Sequence, residues 1–217
     1  MHPRFFVTLA ALISISAWAD EGELFVGAEA TPGWFRINNQ KITPDGYSSV
    51  FIQRFAIPVA YGLTDIWNLG ISPGAAFGYG DVISEDVRIG NVSGNLHSGL
   101  LWLTFPITTS FRVNTGSNWS TTFEFFGGYS AAYWSDRFLE KNGFLLLDQK
   151  DLEGRWNHGP FFGAQILLEG RFFEALVIQG GPSISASYMD GWGFFPGFVV
   201  RLSGAVGVGS GLSARAE

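Results

Sequence analysis

Cysteine is absent from this chain of 217 residues, which removes disulfide staples and thiolate chemistry and fits export through an oxidising compartment. Charge is scarce too: Asp, Glu, Lys and Arg make up 15% of the residues, against about 25% in an average soluble domain. The charges sum to −6 with no basic cluster, which argues against nucleic acid as a partner. Beyond the N-terminal segment no long hydrophobic run exists, because Gly, Ser, Thr, Asn or a charge interrupts every candidate window. A spanning helix needs about 20 apolar residues, so none is expected. Yet the chain is 47% hydrophobic and 16% aromatic, too apolar a surface for water. A chain that meets hydrocarbon without helices has one remaining option, a closed β-barrel whose strands satisfy one another's backbone.

The first residues have the grammar of a secretory signal: a short basic start at His2 and Arg4, an apolar run from Phe5 to Ile15, and the small-residue site Ala17-Trp18-Ala19. Cleavage after Ala19 is expected, with 1–19 as signal peptide and 20–217 as a single outer-membrane barrel domain. The apolar run is too short to cross a bilayer core of roughly 30 Å.

In a membrane barrel one face of each strand meets lipid and the other the interior, so the pattern to test is alternation with period two. Over 67–80, Trp67, Leu69, Ile71, Pro73, Ala75, Phe77 and Tyr79 oppose Asn68, Gly70, Ser72, Gly74, Ala76, Gly78 and Gly80. The same phase holds in 51–61, with Ile52 and Gln53 as blemishes, and in 101–113, with Trp102 as the one large residue on the inner side. It returns in 119–133, in 162–169, where Phe161 and Leu167 weaken the contrast, in 176–188 and in 194–208. The first strand, near 23–36, is legible at its start, where Leu24, Val26, Ala28 and Ala30 oppose Gly27, Glu29 and Thr31. The expected fold is all-β: an eight-stranded antiparallel up-and-down transmembrane β-barrel. A soluble lipocalin-like barrel would turn the apolar face inward, and the inner sets here, mostly Gly, Ala, Ser and Thr, could not make such a core.

Connections alternate between tight ones, at 62–65, 114–118 and Gly170-Arg171, and mostly longer ones near 37–48, 81–95 and 135–155. Periplasmic turns are short and external loops long, which puts both termini in the periplasm of a bacterial outer membrane. Trp and Tyr favour the two membrane interfaces. This topology sets Tyr61, Trp67 and Trp119 at the periplasmic rim, and Trp34, Tyr79, Tyr133, Trp134, Trp156, Tyr188 and Trp192 in an outer aromatic girdle.

The stretch LTFPITTSFRV at 103–113, a turn, then TFEFFGGYS at 122–130 resembles the central hairpin of the outer-membrane β-barrel domain family of OmpA/OmpX-like small bacterial barrels. AYGLTD at 60–65 resembles a periplasmic turn common in outer-membrane proteins. The resemblance implies outer-membrane lipid, lipopolysaccharide and the barrel-insertion machinery as partners. It specifies no activity. The chain departs from the family at its C-terminus, where an aromatic insertion signal is usual and Val208 and Leu212 are followed by SARAE.

Small eight-stranded barrels are filled by their own side chains, so the inward charges decide between plug and pore. They are Glu29, Arg54, Arg112, Glu124, Glu169 and Arg201, a balanced set expected to form a lumen charge network, since lone charges there are costly. A Ser/His/acid triad is not found: His97 and Ser98 are adjacent along a strand and point to opposite faces. His158 is placed near lipopolysaccharide headgroups or water. The acids Asp136, Glu140, Asp148, Asp151 and Glu153 crowd the third external loop without EF-hand spacing. No metal site, cofactor or catalytic residue is expected, and the chain does not read as an enzyme. Two functions stand: a structural, adhesion or surface-interaction role through the external loops, and a narrow pore or carrier for small or apolar solutes.

Overall fold

The computed structural model describes residues 22–38, 48–64, 66–78, 82–114, 119–147, 155–172, 176–189 and 191–207. The expected signal segment and Tyr79 lie outside them. The strands are, in chain order, β1 (Glu23–Asn38), β2 (Ser48–Ala56), β3 (Val59–Thr64), β4 (Trp67–Ile71), β5 (Gly74–Gly78), β6 (Val82–Ile89), β7 (Val92–Asn114), β8 (Trp119–Lys141), β9 (Phe144–Leu147), β10 (Arg155–Phe172), β11 (Leu176–Tyr188) and β12 (Trp192–Gly207).

All pairings are antiparallel, and β1 closes the sheet by pairing with β12 on one side and with β2 and β3 on the other. β2 with β3 forms one barrel strand and β4 with β5 another, so eight strands make a closed barrel, β6 and β9 being peripheral. The breaks fall at Ile57-Pro58 and Ser72-Pro73, because proline cannot donate to the ladder. Backbone bonds bridge them, from Ile57 N to the Pro73 carbonyl at 3.0 Å and from Ser72 N to the Pro106 carbonyl at 3.1 Å. Prolines recur around the wall: Pro32, Pro58, Pro73, Pro106, Pro160, Pro182 and Pro196 give every barrel strand one except β8, which has Gly127-Gly128 instead.

The alternation read from the sequence is the facing of the side chains. Ile57, Ile71, Phe105, Ile107, Phe125, Ile184, Phe198 and Val200 point outward and are half exposed or more. Thr104, Thr122, Ser130, Ser185 and Ser203 point inward and are buried. At one end Thr64 ties the β3–β4 turn by accepting from Trp67 N at 3.1 Å, the local bond for which hydroxyl side chains are favoured in turns. β10 runs through the Gly170-Arg171 dipeptide, where a turn was expected, and Arg171 pairs with Val177.

Two regions expected to be loops are largely strand. β6 and the start of β7 form a hairpin on Gly90-Asn91, with Gly90 at φ 61. The end of β8 and β9 form another on Asn142-Gly143, at φ 54 and 80, the signature of a type I′ turn. β7 and β8 stay paired out to Asn95 and Glu140. The outcome is a four-stranded sheet standing on one side of the barrel mouth, with Leu96 and Leu139 buried on one face beside Ile89, Val92 and Leu147.

Candidate functional site

The interior has two layers of opposite character. At mid-height lies a charged layer centred on the closing seam, where Glu29 and Arg201 are direct register partners. Arg201 binds the Glu29 carboxylate through Nε at 3.0 Å and Nη2 at 2.6 Å, and Glu124 through Nη1 and Nη2 at 2.8 Å each. Arg54 reaches Glu29 Oε1 at 2.5 Å through Nη1, the Ser72 carbonyl at 3.0 Å through Nη2, and Thr104 Oγ1 at 3.1 Å through Nε. Gln165 donates to Glu124 Oε1 at 2.6 Å. Two acids thus meet two bases, every guanidinium edge is used, and the low-dielectric interior holds no net charge. Arg112 and Glu169 form a separate pair nearer the β3–β4 turn end, at 3.3 Å, with Arg112 also bonding Ser120 at 3.2 Å.

Toward the other mouth the lumen is apolar. Trp102 is fully buried, with Phe35, Phe161 and Phe195 around it at ring-centroid distances of 5.1, 5.2 and 5.8 Å. Ile52, Leu100, Trp134 and Met189 belong to the same cluster. The large residues that spoil the alternation, Ile52, Trp102 and Phe161, are therefore the ones that fill the interior. The inward set makes an apolar core in this half, contrary to the expectation from its small residues. Between the layers remains a cavity of about 10 Å³, floored by Glu29, Arg54 and Glu124 and roofed by Phe126, Phe161 and Phe195. That is room for about one water.

Of the expected girdle, Trp34, Tyr61, Trp67, Trp119, Trp156, Tyr188 and Trp192 face outward, between 40% and 56% exposed. Tyr133 is half-buried and packs on Trp156 with centroids 5.0 Å apart. Trp67 donates its indole N–H to Thr109 Oγ1 at 2.8 Å, as a belt tryptophan must. Trp134 is corrected: it shares the phase of Ser130 and Ala132, is 4% exposed, and belongs to the lumen cluster.

His97 and His158 have ring partners that the sequence did not show, and β9 was not foreseen. His158 faces outward and meets the Tyr129 hydroxyl through Nδ1. His97 stacks on Phe138 at 4.5 Å and lies 3.7 Å from Glu140, away from Ser98. β9 presents Phe144, Leu145 and Leu146 at 73%, 58% and 38% exposure, on a strand whose one partner among the described residues is β8. The Asn-Gly pair at 142–143 was the available signal for that hairpin. Among the described residues no cluster of His, Asp and Glu has metal-binding geometry.

No family model and no curated protein matches the chain. Among solved structures it is similar to Neisserial surface protein A, with a TM-score of 0.51 and 8% identity over 82% of this chain and 96% of that one. It is also similar to Ail, the attachment invasion locus protein of Yersinia pestis, with a TM-score of 0.49 and 15% identity over 84% and 98% of the two chains. The N-terminal β-barrel domain of Pseudomonas aeruginosa OprF gives a TM-score of 0.39 at 14% identity over 84% and 98%. At 8% identity the likeness to Neisserial surface protein A speaks for the fold alone, a small closed β-barrel of eight antiparallel strands.

Proposed function

We propose that the chain is exported by its N-terminal signal, is inserted into the bacterial outer membrane by the barrel-insertion machinery with both termini periplasmic, and serves as a surface-interaction barrel. Its working part in this reading is the sheet of β6, β7, β8 and β9, which stands among lipopolysaccharide and beyond. The observation that carries it is the contrast between a lumen closed by Trp102 and its neighbours and a sheet whose β9 edge bears exposed Phe144 and Leu145. Residues 135–141 alone carry β8 roughly 20 Å past the outer rim. An apolar strand edge that has no partner among the described residues is a template for an incoming chain. Neisserial surface protein A, by its name a surface protein, supports the same placement. A pore or carrier would need a path through two stacked barriers, one apolar and one ion-paired.

Two measurements test this. Since the chain has no cysteine, Phe144→Cys gives a single reporter, expected to react with a membrane-impermeant maleimide on intact cells. The refolded protein should give no conductance steps in planar bilayers. Labelling only after the cells are opened would invert the topology, and stable conductance would return the pore.

A further inference from the structure

The outer wall of the barrel should carry no polar group that lipid cannot satisfy, because hydrocarbon offers neither donor nor acceptor. His158 is an ionisable group on that wall, at its interfacial edge. It lies on β10 facing outward, two residues below Trp156, or roughly 5 Å deeper along a tilted strand. An ionisable side chain in such a place points to a function.

The surroundings are built around the ring. Across the ladder, His158 pairs with Ala131, a small residue between Tyr129 and Tyr133 on the same face of β8. The imidazole therefore stands over a shallow notch. Its upper wall is the packed pair Tyr133 and Trp156, with centroids 5.0 Å apart, and its lower wall is Tyr129. Nδ1 is engaged by the Tyr129 hydroxyl, while Nε2 has no partner among the described residues. When the tyrosine O–H donates to Nδ1, the ring hydrogen resides on Nε2 and is aimed away from the wall. Among the described residues of β8, β10 and β11 no carboxylate faces this notch. The ligand must come from the lipid side, at headgroup depth, and must accept a hydrogen bond. An anionic phosphate oxygen is the acceptor that makes such a bond strongest, and flat aromatic walls suit the apolar face of a sugar ring.

We propose that Tyr129, His158, Tyr133 and Trp156 form a headgroup site for a phosphorylated glycolipid of the outer leaflet, with His158 Nε2–H donating to phosphate and Tyr129 as the positioning residue that fixes the tautomer. This rests on the orientation proposed above, which puts that end of the barrel outward.

The test uses full-length refolded protein in mixed micelles with bis-phosphorylated lipid A, its dephosphorylated counterpart, or inorganic phosphate, the bound lipid being counted by native mass spectrometry. The wild type is expected to retain one bis-phosphorylated molecule at least tenfold more tightly than the dephosphorylated one. His158→Phe and Tyr129→Phe keep a ring on the outer wall, and heat-modifiable gel migration verifies that each folds. Both should lose that preference about tenfold. The nitrogen-15 shifts of the His158 ring should report the Nε2–H tautomer in the wild type and a mixture in Tyr129→Phe. Equal retention of both lipids, or an unchanged preference in His158→Phe, would overturn the site. Displacement of the lipid by millimolar inorganic phosphate would reassign the anion to a free ion and overturn the lipid. Because micelles have no sidedness, a failure here is distinct from a failure of the orientation, which surface labelling reads by itself.

Discussion

Glu29 and Arg201 are 172 positions apart in sequence and share a hydrogen-bonded pair in the barrel. Each is one link of the chain Arg54–Glu29–Arg201–Glu124, so removing one leaves a buried charge short of a partner, at about 3–5 kcal/mol, and removing both still leaves Arg54 and Glu124 without theirs. In a double-mutant cycle on Glu29→Gln and Arg201→Met, followed by urea unfolding from bilayers, strong coupling is therefore expected. Additivity to within about half a kcal/mol would show that the two do not act as a pair. On the wall, Ile71→Arg should cost about 2–4 kcal/mol if the position is mid-bilayer; a cost near zero would show that the position does not face lipid. Facing was legible at this scale because period two is a strong code wherever one side is apolar. The phase put Trp102 and Phe161 on the inner side, where they are buried, without showing that they build an apolar layer there, and it was overridden at Trp134, where residue type outweighed phase.

Strands were legible where they cross the barrel and fade where they leave it. In 93–98 the sequence is Ser-Gly-Asn-Leu-His-Ser, nearly polar on both faces, and periodicity has nothing to grip once neither side is hydrocarbon. What survives there is turn chemistry, read from Gly90-Asn91 and Asn142-Gly143. Gly143 at φ 80 makes a direct demand: a β-branched residue in that conformation is strained by about 1–3 kcal/mol. Gly143→Val should unzip β9 from β8 while leaving the barrel intact. Hydrogen exchange should accelerate at 139–147 and stay slow at the Thr104 and Ser130 amides. Protection unchanged at 139–147 would mean that the hairpin does not depend on its turn. The same variant should lose whatever binding the β9 edge supports.

At the scale of the whole molecule, two barriers in series decide whether anything passes. Trp102→Ala removes the centre of the aromatic layer, at about 3–5 kcal/mol for the vacated space, but leaves the ion-paired layer beneath it. The expected result is a less stable barrel, by urea midpoint, that still carries no current. Conductance in this single variant would show that the aromatic layer alone holds the lumen shut.

The prolines of the wall bear on the time before there is a wall. On the export route proposed above, the chain would cross from one membrane to the other as a string of apolar strands in water, each able to template a cross-β stack with its copies. One proline near the middle of almost every strand denies such a stack the backbone donor it needs, which is how natural sequences guard stretches that cannot be made polar. The folded barrel forgoes ladder bonds so that its unfolded form stays dispersed. Replacing Pro160, Pro182 and Pro196, all outward and exposed, with threonine should raise the temperature at which the inserted barrel loses its heat-modifiable migration. The same variant diluted from urea without detergent should scatter light sooner and more strongly than the wild type. If the scattering curves coincide, these residues serve the finished barrel and not its delivery.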